Sequence, residues 1–99
     1  MFIKYRTSAG NRLAAVNSDQ IIELFVMNSL LTKDAWDLVA LRMEIPGSDP
    51  RIYIATYTTQ EAAEWGLDEI LSFMKVQAKY VNEDAYDQAA YDECHPVKK

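Results

Sequence analysis

Residues 51–74 read RIYIATYTTQEAAEWGLDEILSFM, and inside this stretch the spacing of apolar side chains changes from two residues to 3.6. Arg51 to Tyr57 has the β-branched and aromatic density of a strand. From Thr58 on, Ala63, Leu67, Ile70, Leu71, Met74 and Ala78 fall within one arc of roughly 100°, which predicts a helix with a core-facing stripe. Thr58 and Glu61 have the spacing of a capping box, so the helix is expected over 58–80. Gly66, costing about 1 kcal/mol relative to Ala inside a helix, is read as simply tolerated rather than as a close backbone approach.

Such a helix needs a sheet to cover, and the upstream sequence supplies strands. Phe2 to Thr7 alternates bulky and charged residues before the turn signal Ser8 to Asn11, which reads as a first hairpin. Leu13 to Val16 and Ile21 to Met27 read as strand, with a bend or bulge where Asn17, Ser18 and Asp19 can bond their own backbone. In Trp36 to Ile45, Val39, Leu41, Met43 and Ile45 share one face, taken as the buried one. Pro46 to Pro50 is a turn, since its prolines cannot donate to a ladder. Downstream, Asn82 can cap a second, acidic helix over 82–94, with a frayed tail at 95–99. The expected fold is α+β: a four-stranded antiparallel β-meander over 1–57, packed by one long C-terminal helix, plus a second short helix, forming a single domain over 1–94.

The chain of 99 residues carries a net charge of −5, concentrated in its last third. Residues 61–93 hold nine acids against Lys75 and Lys79, a local net of −7. Such a block repels nucleic acid and anionic lipid and favours a basic partner. With one cysteine, Cys94, no internal disulfide forms, and no apolar run approaches the roughly 20 residues of a membrane span; a cytoplasmic location is expected.

Catalytic chemistry finds little support. Cys94 and His95 are adjacent beside Pro96, and they supply two metal ligands where zinc sites need three or four. The glycines are scattered, so no phosphate-cradling loop exists. Glu61, Glu64 and Asp68 read as a solvated helix face. The expectation is a protein that is not an enzyme and takes no cofactor or metal.

The sequence instead offers a surplus stripe. Trp65, Phe73, Val76 and Tyr80 lie within about 80° of one another on the helix, roughly opposite Leu67 and Met74. A helix apolar on two faces needs two partners: the sheet, and either another protein or the second helix, with Tyr86 and Ala89 folding back over Val76 and Tyr80. The candidate partner-binding residues are therefore Trp65, Phe73, Val76 and Tyr80, bordered by Glu61, Asp68, Glu69, Glu83, Asp84 and Asp87. A first alternative is a homodimer closed through this stripe. A second is a weak nucleic-acid or small-ligand module using Lys4, Arg6 and Arg12 beside Phe2 and Tyr5.

Val16-Asn17-Ser18-Asp19-Gln20-Ile21, following a strand and turn and preceding strands and a capped helix, resembles small bacterial and phage proteins of the FlbD-like kind. Their motif is Asn-Pro-Asp-x-Ile; Ser18 stands here in the proline position, and no functional residue is transferred. Size and charge are also compatible with small acidic phage proteins that inhibit host enzymes, some by mimicking nucleic acid. The expected function is that of a non-enzymatic, acidic protein-binding domain, an inhibitor of a host or cellular enzyme, whose partner is a basic nucleic-acid-handling protein or a second copy of the chain.

Overall fold

A computed structural model describes residues 1–7, 12–43, 46–47 and 49–96. Its elements are β1 (Phe2–Arg6), β2 (Leu13–Asn17), β3 (Ile21–Asn28), β4 (Trp36–Arg42), β5 (Arg51–Tyr57), α1 (Gln60–Lys75), β6 (Tyr80–Val81) and α2 (Gln88–Cys94). The α+β class holds, but the meander does not: the strands form two three-stranded sheets, ordered β2-β1-β6 and β3-β4-β5, and α1 is central rather than C-terminal. The division occurs at residues 17–20. Asn17 accepts a hydrogen bond from the Asp19 backbone N–H at 3.1 Å and caps a 3₁₀ turn over Ser18–Gln20, so the expected bend becomes a corner between sheets. β6, absent from the sequence reading, pairs parallel to β1 with Phe2 opposite Tyr80 and Ile3 opposite Val81.

Ile3, Val16, Leu38, Ala40, Ile52, Ile54, Tyr57, Ala62, Ala63, Ile70, Val81 and Tyr86 form the core under α1. On β4 the expected phase is reversed, since Leu38 and Ala40 enter this core. Val39 is also fully buried, but on the reverse face, between its register partners Phe25 and Tyr53. Both faces of β4 are apolar, so alternation alone could not say which one meets the helix. Met43 is exposed, and Ile45 lies outside the described residues, as do the turn expected at 8–11 and residues 97–99 of the tail expected at 95–99. On β5, Ala40 faces Ile52 and Val39 faces Tyr53, but Leu38 faces Ala55, leaving Ile54 as an extra residue. That bulge turns Tyr57 inward, where strict alternation from Tyr53 would point it out.

The cap of α1 is Thr59, whose side chain accepts from the Ala62 N–H at 3.1 Å, and not Thr58, whose N–H instead donates to Gln88 Oε1 at 2.9 Å. The helix ends at Lys75 instead of Tyr80. Gln77 adopts a left-handed backbone (φ 56°), its N–H donating to the Met74 carbonyl while the Ala78 N–H donates to the Phe73 carbonyl. This pair of bonds is the Schellman arrangement, here without the usual glycine. The C-terminal segment likewise divides into a 3₁₀ turn at Glu83–Ala85 and α2, whose cap is Asp87, accepting from the Ala90 N–H at 2.9 Å; Asn82 makes no capping bond.

Candidate functional site: an acidic-rimmed groove beside a free strand edge

The four aromatic and aliphatic residues of the surplus stripe do not form one surface. Trp65 is covered by α2, with Tyr91 edge-on at 5.6 Å and His95 at 6.1 Å between ring centres. His95 stacks on Tyr91 at 4.3 Å, and this pair covers Trp65, whereas Val76 and Tyr80, over which Tyr86 and Ala89 were expected to fold, stay uncovered. Phe73 packs against the core. Val76 and Tyr80 lie beyond the helix, Val76 at its end and Tyr80 on β6, and both remain exposed. Helical spacing failed there because the chain leaves the helix at Gln77. Tyr80 neighbours the exposed Phe2 and carries the Lys4 ammonium 4.6 Å over its ring.

The bordering acids also part company. Glu83 pairs with Arg6 at 3.0 Å, and Asp87 caps α2, so both are engaged in holding the fold. Glu61, Asp68 and Asp84 are exposed, and Glu69 is half-buried. Of the three cations proposed for nucleic acid, Lys4 and Arg6 are occupied in the contacts just given, and Arg12 is exposed.

Tyr57 and Tyr86 hold the C-terminal segment against the rest. The Tyr57 hydroxyl donates to the Tyr86 carbonyl, and the Tyr86 hydroxyl donates to the Lys4 carbonyl. Burial pushes both phenols well above their ordinary range, with Asp87 adding to the effect on Tyr57, and Tyr57, Glu83, Asp87 and Tyr5 to that on Tyr86. These hydroxyls stay protonated and serve as structural donors. A cleft of about 360 Å³ beside them is lined by Arg6, Tyr53, Thr56, Glu83, Asp87 and Gln88 among others. Among the described residues no three His, Cys, Asp or Glu side chains gather as a metal site, and no helix is long and apolar enough to cross a membrane.

The apolar surface that sequence reasoning missed lies on the other flank of α1. A groove of about 260 Å³ runs between α1 and β3, lined by Ser18, Ile21, Ile22, Glu23, Leu24, Leu67, Leu71 and Met74. Ile22 is 65% exposed and Leu71 45%, although Leu71 belongs to the stripe expected in the core. The reason is local. Ile21 pairs with Arg42 and Glu23 with Leu41, so Ile22 is the extra residue of a bulge and is turned away from regular alternation. Leu71 lies at the far margin of the helix's apolar arc, beyond the reach of the three strands. Glu23 lines the groove, Asp19 is exposed in the turn beside the lining residue Ser18, and Glu64 and Asp68 are exposed one helical turn before Leu67 and Leu71, against Lys75. No local signal in the sequence marks this groove, because the bulge at Ile22 arises from strand pairing.

Compared with protein-family models, curated proteins and solved structures, the chain matches none.

Proposed function

We propose that this protein is a non-enzymatic, acidic binding domain whose partner is a basic protein. The groove between β3 and α1 carries this reading: it gathers the exposed Ile22 and Leu71 with the half-buried Leu24, Leu67 and Met74, has Glu23 in its lining, and is joined by the exposed Asp19, Glu64 and Asp68 on the same two stretches of chain. Apolar area supplies affinity, and the carboxylates select a cationic partner and speed encounter. A non-catalytic role is also supported by the two most buried hydroxyls, Tyr57 and Tyr86, which are spent on backbone carbonyls. Inhibition of an enzyme by covering a basic surface is the specific form that size and net charge fit.

The test is a photo-crosslinking residue at position 71, compared with one at Glu93 on the exposed side of α2. A basic protein captured from position 71 and not from 93 is expected, with capture falling as salt rises. Ile22→Asp and Leu71→Asp, both at exposed positions, should leave folding within about 1 kcal/mol of the parent yet weaken association at least about tenfold. Association unchanged in both variants would sink the reading.

A further inference from the structure

β3 pairs with β4 on one side, and among the described residues no strand pairs with its other side. The Ser29 N–H donates to the Ala35 carbonyl at 2.9 Å, in register with the ladder that pairs Asn28 with Trp36 and Met27 with Asp37. Antiparallel ladders alternate, so Met27 and Phe25 bond β4, while Leu24, Val26 and Asn28 turn their N–H and C=O groups outward. Natural edge strands are blunted by proline, charge or bulges. Here the bulge at Ile22 and the charge of Glu23 occupy the start of the strand, and Leu24 to Asn28 carry neither charge nor proline.

We propose that this edge takes up an extended segment of a partner protein as a fourth strand, apolar at its centre and flanked by Lys or Arg. This inference rests on the binding-domain reading and specifies where and how the partner docks. An added strand has two faces, and both find apolar neighbours. One set of side chains meets the groove at Leu24, Leu67, Leu71 and Met74. The other lies beside Phe25 and Met27, in the row that buries Val39 on the reverse face. The main chain would supply affinity through the outward groups, with side chains supplying selectivity. Charge decides between occupants. Two copies that each carry a net charge of −5 repel one another as wholes, whereas a segment with basic flanks meets Glu23 in the groove and the exposed Asp19, Glu64 and Asp68 near it.

A displayed library of nine-residue random peptides, selected against the whole protein, tests this. Enriched peptides should alternate apolar residues between basic ends. Adding one should slow amide hydrogen exchange at Leu24, Val26 and Asn28. Val26→Pro and Asn28→Pro delete outward donors that the β3–β4 ladder does not use, and each should weaken the peptide at least about tenfold. Asn28→Pro, at the exposed last residue of the strand, keeps the test intact if Val26→Pro fails to fold. Acid-flanked peptides binding equally well would overturn the inference, as would concentration-dependent protection of the same amides without peptide, which would put a second copy on the edge. A peptide that binds while those amides exchange as before also overturns it, and leaves the binding-domain reading standing. A library without binders overturns it too, and crosslinking at position 71 then decides that reading alone.

Discussion

Gly66 is the residue on which the C-terminal half turns. A Cβ placed there would lie 2.8 Å from Tyr57 Cζ and 2.9 Å from the Tyr86 carbonyl oxygen, and closer still to the Tyr57 hydroxyl. Its helical φ is ordinary, so the requirement is space and not backbone freedom: the bulge on β5 turns Tyr57 under α1, and only a bare Cα leaves room for its hydroxyl to reach Tyr86. The reading of Gly66 as merely tolerated is therefore wrong, and close approach is its role. Gly66→Ala would gain roughly 1 kcal/mol of helix propensity and lose more to overpacking, since both neighbours are fixed. The net expected is a loss of about 1–3 kcal/mol, read from chemical denaturation with an unchanged slope. A variant as stable as its parent would show that Tyr57 can swing away.

At the scale of elements, α1 shows what a sequence does and does not announce. Its existence and its apolar arc were legible from 51–74, because burial on one side imposes a 3.6-residue period wherever a helix packs on a sheet. Its end was not legible. Gln77 carries no glycine signature, and Val76 and Tyr80 continue the helical spacing by coincidence. A non-glycine residue at φ 56° costs about 1 kcal/mol. Gln77→Gly should therefore stabilise the protein by roughly 0.5–1 kcal/mol, measured as a raised denaturation midpoint. A destabilised variant would mean that the Gln77 side chain contributes more than its backbone costs. The groove was illegible for a different reason: it depends on the bulge at Ile22, and register shifts come from tertiary pairing that local composition does not encode. The candidate site was thus expected on the flank of α1 that α2 covers through Tyr91, whereas the exposed apolar groove lies on the opposite flank.

For the molecule as a whole, the two buried phenols link stability to alkaline pH. Both bind their protons more tightly in the fold than in the unfolded chain, where tyrosine releases its proton near pH 10. Their contribution is fully present below about pH 10 and is lost as pH rises further, because the unfolded state then binds fewer protons. Denaturation midpoints should fall steeply from about pH 10 upward, and Tyr86→Phe should flatten that fall. An equally steep decline in the variant would assign it to other groups.

β1 lies in the middle of its sheet, between β2 and β6, although β6 lies nearly eighty residues further along the chain. The Lys4 carbonyl likewise waits for the hydroxyl of Tyr86, and Arg6 for Glu83. On a ribosome, β1 therefore emerges with one neighbour, β2, soon available and the other, β6, not yet made. Synthesis at about 5–20 residues per second leaves its second edge open for several seconds, during which a chaperone or another nascent chain can reach it.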